Sequence, residues 1–167
     1  MTPLPTRLLG AWCRPATVED AAAVAEHMRP ADAAELWAAS EQTPLEGAVE
    51  SVEATPPGRS GALWLGRPGA WELAGVFGVV PEAGNPSRAF PWLLTTLAVE
   101  RHPRPFWRAS QAWIATWRRD FEVLENAIDA RHTVALRWAA RLGFEVGPAE
   151  PFGMLRLPFH RITIRRS

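Results

Sequence analysis

Lysine and tyrosine occur nowhere in these 167 residues, and all 18 basic side chains other than histidine are arginine. Without lysine there is no Schiff base and no P-loop. Without tyrosine there is no phenol to act as a general acid. The one cysteine, Cys13, excludes an internal disulfide and cannot hold zinc alone, so a reducing intracellular setting is the expectation. No apolar run reaches the roughly 18 residues that a membrane helix needs. Met1–Gly10 is short, contains proline and has no apolar segment of the secretory type. The four histidines, His27, His102, His132 and His160, show no metal-ligand spacing, and no metal is expected. Asparagine and isoleucine are scarce while Ala, Arg, Pro, Gly and Trp abound, a bias that fits GC-rich coding.

What is present describes a globular chain. Hydrophobic residues make up 47% and charged residues 22%, enough for one core and a single domain over residues 1–167. Net charge is zero, yet the halves differ: residues 1–100 carry six Arg against twelve acids, and residues 101–167 carry twelve against six. That asymmetry reads either as solvated helix faces or as an oriented field suited to phosphates or a charged partner. Among the nine tryptophans, Trp107, Trp113, Trp117 and Trp138 fall at helical positions compatible with a core. The alternative is a protein–protein anchor beside Arg108, Arg118 and Arg137. No nucleic-acid motif is present, and no membrane partner is expected.

Along the chain, Leu8–Arg14 reads as a strand. Thr17 and Asp20 form a capping-box start for a helix to about Met28. A second short helix spans about Asp32 to Ser40, with Leu36 and Trp37 on its buried side. Thr43-Pro44-Leu45-Glu46 starts a third, in which Leu45, Ala48, Val49 and Val52 keep helical spacing. Ala62–Leu65 and Trp71–Val80 read as a hairpin across Gly66–Gly69, and Phe90–Val99 as a further strand. The longest helix runs from Pro103 to about Arg119, with an apolar stripe of Phe106, Ser110, Trp113, Ile114 and Trp117. Val123–Asp129 is a strand, about Thr133–Leu142 a helix, and Phe144–Val146 and His160–Arg165 two last strands around a loop, Gly147–Pro158. The expected class is α/β (α+β), with a mixed, mostly antiparallel central sheet flanked by helices.

The segment Ala130–Phe144 is the most informative. An alanine-rich amphipathic helix stops at Leu142-Gly143-Phe144, where glycine supplies a left-handed residue. This resembles the last helix of the acyl-CoA N-acyltransferase superfamily, the GNAT fold, whose spacing is roughly Asn-x-x-Ala-x-x-x-Tyr-x-x-x-Gly-Phe. Here His132 takes the Asn position, Ala135 the Ala position and Ala139 the Tyr position. The likeness covers about Trp12–Arg165 and includes the opening Arg14-Pro15-Ala16-Thr17-Val18-Glu19-Asp20.

The resemblance implies acetyl-CoA as cofactor, its pantetheine along the fourth strand at Leu97 and Val99. His132 and Ala135 would lie nearby, and phosphates would meet Arg101 and Arg104. Family members hold the pyrophosphate on a Gln/Arg-x-x-Gly-x-Gly/Ala loop; the stretch here is Arg101-His102-Pro103-Arg104-Pro105-Phe106. Two prolines remove two amide donors, and bulky residues stand where small ones belong. For acid–base work the candidates are Glu72, Glu100 and His132, each of which also reads as a surface or structural residue.

Several stretches further resemble a phage-encoded branch of that fold, which includes the internal virion protein A of T7-like podoviruses. They are Met28–Asp32, Glu35–Ser40, Pro91–Leu94, Arg101–Arg104 and Leu157–Arg161. Together with the blocked loop and Ala139 in place of the tyrosine, this implies a catalytically degenerate protein that needs no cofactor. It would act in virion assembly or as a minor virion component, with other phage structural proteins as partners, in the host cytoplasm during infection or in the virion. The alternative is an active acetyl-CoA-dependent N-acetyltransferase with an atypical pyrophosphate loop.

Overall fold

A computed structural model describes residues 7–166; Met1–Thr6, part of the N-terminal stretch read above, lies outside them. The chain opens with a small hairpin of β1 (Arg7–Leu8) and β2 (Ala11–Arg14), turned at Gly10. Helices α1 (Val18–Glu26), α2 (Pro30–Ser40) and α3 (Pro44–Ala54) follow. Both expected capping boxes form. Thr17 Oγ1 accepts from the Asp20 N–H at 3.3 Å while the Asp20 carboxylate accepts from the Thr17 N–H at 3.0 Å, and Thr43 and Glu46 repeat the pattern.

Next come β3 (Ser60–Arg67), β4 (Ala70–Glu82), β5 (Asn85–Thr95), a single helical turn α4 (Ala98–Arg101) and the long α5 (Pro103–Asp120). The chain closes with β6 (Val123–Asp129), α6 (Thr133–Arg141), β7 (Glu145–Phe152) and β8 (Leu157–Arg165). The eight strands form one sheet in the order β1-β2-β3-β4-β5-β6-β8-β7, antiparallel except for β5 against β6. No helix among the described residues is long and apolar enough to cross a membrane.

Alternation along the strands divides the core into two layers. Ala62, Val76 and Leu94 pack under α1 and α3. Leu63, Phe77, Val79, Leu124 and Ile162 face the other way, under α5 and α6. Phe77 stacks on Trp113 with ring centroids 3.7 Å apart, and Trp117 is buried beside them. Cys13 is buried in this layer, and burial pushes its thiol up to about 12, so it is inert.

Several expectations need correction. Trp37, read on the buried side of the second helix, is 52% exposed, and the strand read over Leu8–Arg14 is broken at Gly10 into β1 and β2. The segment read as the strand Phe90–Val99 leaves the sheet at Thr95. The Thr96 hydroxyl accepts from the Ala98 N–H at 3.2 Å and its carbonyl from the Val99 N–H at 3.4 Å, which turns the chain into α4. Leu97 and Val99 are therefore not strand residues. The segment Gly147–Pro158, read as a loop, is mostly strand: β7 runs to Phe152 and β8 begins at Leu157. As an edge strand with nearly every side chain in solvent, β7 has no apolar alternation to betray it. Its pairing to β8 is a backbone property.

Candidate functional site

The parallel pair β5–β6 holds only at Arg88↔Val123 and Ala89↔Leu124. Beyond that point the strands splay, and a cleft of about 390 Å³ opens between them. Its apolar walls come from Leu93 on β5, Ile128 on β6, Phe106, Trp113 and Ile114 on α5, and Ala135 and Trp138 on α6. Phe106 and Trp138 stack at 5.4 Å and bridge the two helices.

The protein's own groups span the splay at both ends. Near its apex, Asn126 Nδ2 donates to the Pro91 carbonyl at 2.6 Å. At its mouth lies α2. Asp32 Oδ2 accepts from the Thr95 N–H at 2.9 Å and the Thr95 hydroxyl at 2.6 Å, and the Thr95 carbonyl accepts from the Arg29 N–H at 2.9 Å. The other Asp32 oxygen accepts from His132 Nε2 at 2.9 Å and Arg29 Nη2 at 2.8 Å. One helical turn further, Glu35 Oε2 accepts from the Asp129 N–H at 3.0 Å. The residues of β5 whose main chain faces the gap alternate as Pro91, Leu93 and Thr95, and two of these three are already engaged.

Charge at the mouth is arranged unevenly. Burial pushes the Asp32 carboxyl up, but the His132 and Thr95 hydrogen bonds and the Arg29 guanidinium outweigh it and hold it below its ordinary value. Asp129 is likewise held low against burial, by Arg131. Among the described residues no cation is bonded to Glu35. Burial lifts it to about 7, aided by the Asp32 and Asp129 charges and opposed by the Asp129 N–H and by His132. A carboxyl poised near neutrality in a cleft can exchange a proton.

Of the sequence-derived candidates, His132 and Ala135 reach this cleft. Glu72 does not: it lies on β4, accepting from Arg101 Nε at 3.0 Å and from His102 Nε2 at 2.8 Å. Those two bonds hold its carboxyl below its ordinary value. Glu100 is exposed on α4, 3.8 Å from Arg29 Nη1. Leu97 is 47% exposed, and Val99 is buried with its N–H already donated. Arg101 is held by Glu72, while Arg104 stands exposed on the first turn of α5.

Sequence reading missed Asp32 and Glu35. Their signal was available: Asp32 lies four residues before Leu36 and three before Glu35, and so shares the helix face assigned to the interior.

A coenzyme A pyrophosphate does not fit the loop after β5 in the usual main-chain mode. The N–H groups of Val99, Glu100, His102 and Phe106 donate to the carbonyls of Thr96, Leu97, Ala98 and His102, and Pro103 and Pro105 have no N–H to give. At the family's tyrosine position Ala139 is wholly buried.

A mixed sheet splayed between two parallel strands, with a helix after each, is the fold of the GNAT acetyltransferases. Among solved structures, a GNAT-family acetyltransferase from Bacillus anthracis superposes with a TM-score of 0.69 at 13% identity, covering 98% of each chain. The Salmonella typhimurium protein yncA, solved with its cofactor acetyl-CoA, gives 0.66 at 17% identity, covering 94% of each. RimL, a ribosomal L7/L12 α-N-protein acetyltransferase in complex with coenzyme A, gives 0.65 at 12% identity over 97% of each. No family model matches the sequence, and no curated protein matches it.

Proposed function

We propose that this chain is a GNAT-fold protein that no longer performs acyl transfer and works by binding, as an assembly factor or minor component of a phage particle. One observation carries the loss of chemistry. The two main-chain surfaces that would receive the cofactor, the loop after β5 and the splayed edge of β5, are in large part occupied by the protein itself: four loop amides donate to its own carbonyls, and Thr95 is bonded to Asp32 and Arg29. The phage setting rests on the motif resemblance around Met28–Asp32, Glu35–Ser40 and Leu157–Arg161. Calorimetric titration with acetyl-CoA tests the first part: no saturable heat is expected up to about millimolar ligand, the weak end of binding. Saturable binding that Arg101→Ala/Arg104→Ala abolishes would overturn it. Mass spectrometry of purified particles tests the second.

A second reading, an acetyl-CoA-dependent N-acetyltransferase with an atypical loop, draws on the 390 Å³ cleft and on Glu35, near 7 at its mouth. In that reading Glu35 takes the proton from the attacking amine. The same titration separates the two.

A further inference from the structure

We propose that copies of this chain stack head to tail, the α5/α6 face of one against the α1/α3 face of the next. The inference does not depend on whether the cleft binds a cofactor.

The sequence separates its charges by halves, and the fold turns the halves into faces. On α1 and α3 the exposed charged side chains are Glu19, Glu26, Glu46, Glu50 and Glu53. No arginine occurs within residues 15–28 or 30–58. On α5 and α6 the exposed charged side chains are Arg104, Arg108, Arg119, Arg137 and Arg141. No acid occurs within residues 101–119 or 130–144. Because α1 and α3 pack on one side of the sheet and α5 and α6 on the other, the two sets point away from each other.

Several arginines elsewhere are partnered within the chain: Arg14 with Asp20, Arg29 with Asp32, Arg59 with Asp120, Arg131 with Asp129, Arg161 with Glu125. The five on α5 and α6 have no carboxylate partner among the described residues. Five cations on one face and, on the other, five carboxylates that form no ion pair among the described residues are complementary in sign and number. Each face also exposes an apolar anchor, Val134 against Val18 and Leu45.

The partner that such a basic face fits is therefore carried by the molecule itself, at zero net charge. A polyanion would meet the same arginines but would gain no use of the acidic face. Two different faces meeting make a heterologous contact, which extends rather than closes as a dimer. Exposed charges govern it, so salt screens it.

Sedimentation of the full chain across protein concentration, at about 20 mM and about 300 mM salt, tests this. At low salt the average mass should climb past that of a dimer, and high salt should weaken association at least about tenfold. Arg104→Glu/Arg108→Glu/Arg137→Glu and Glu26→Arg/Glu50→Arg/Glu53→Arg should each stay monomeric, and their equimolar mixture should associate again. A monomeric wild type at every concentration in low salt overturns the proposal, whatever the variants do. So does undiminished association of either folded variant alone. Binding of a labelled oligo-dT by a wild type that never self-associates overturns it in favour of a polyanion partner.

Discussion

Both hydrogen-bond donors of Thr95, its main-chain N–H and its hydroxyl, converge on a single carboxylate oxygen of Asp32, 63 residues away in sequence. That contact closes the mouth of the splayed sheet. It occupies one of the three residues of β5 whose main chain faces the gap, and the surroundings of that contact set the outcomes below.

Asp32→Ala strips a buried anion from Thr95, Arg29 and His132 at once. Removing one member of a buried ionic network costs about 3–5 kcal/mol, because its partners stay behind unsatisfied. Urea denaturation should show a loss near the lower figure, since Arg29 keeps some solvent contact. A loss under about 1 kcal/mol would mean that water replaces the carboxylate freely.

Glu35 sets a pH dependence of its own. Its carboxyl is raised from 4.5 to about 7 in the fold, so the folded state binds the extra proton between those values. Stability from this group is therefore greatest below about pH 4.5 and falls as pH rises through about 7, by at most about 3.4 kcal/mol. Asp32 and Asp129, held low, act oppositely and lose their contribution only in stronger acid. Glu35→Gln keeps an acceptor for the Asp129 N–H and should flatten the curve of urea midpoint against pH between 4.5 and 7. An unchanged slope would remove Glu35 from the account.

Ala139→Tyr restores the family's phenol in sequence but has no space to receive it, since Ala139 is wholly buried. Overpacking of this kind typically costs about 1–3 kcal/mol. A lower melting temperature and no gain of acetyl-CoA-dependent activity are expected. A stable variant with activity would mean that only the phenol was missing.

Glu72→Ala releases Arg101 and His102 at the surface. Exposed pairs contribute little, so the melting temperature should not move measurably. Calorimetry should also show no new affinity for acetyl-CoA, because the amides of Val99, Glu100, His102 and Phe106 remain spent on the chain's own carbonyls and Pro103 and Pro105 have none. New saturable binding would show that the Glu72 pairing, not the main chain, had kept the phosphates out.

Much of the architecture was legible along the chain, because local rules decide it. Thr17 and Thr43 cap the helices they were expected to cap. Val123–Asp129 is the strand expected, and Gly143 ends its helix region with φ of 98°. The end of β5 was not legible: an apolar run does not say that Thr96, its N–H still donated to the Ala74 carbonyl, will accept the Ala98 N–H on its hydroxyl and turn the chain. Nor was β7, whose two prolines and exposed side chains belong to a sheet only because β8 lies alongside.

The order of helices and strands, the proline-blocked loop at 103–105, the alanine in place of a phenol and the division of charge between halves are all properties of the chain taken residue by residue. Periodicity, missing amides and fixed side-chain chemistry need no partner to be read. That α2 lies across the splay, that Asp32 meets Thr95 and His132, that Glu35 meets the Asp129 N–H, and that the halves become opposite faces were decided by tertiary packing. Burial and long-range hydrogen bonds depend on which surfaces meet, and no local pattern encodes that.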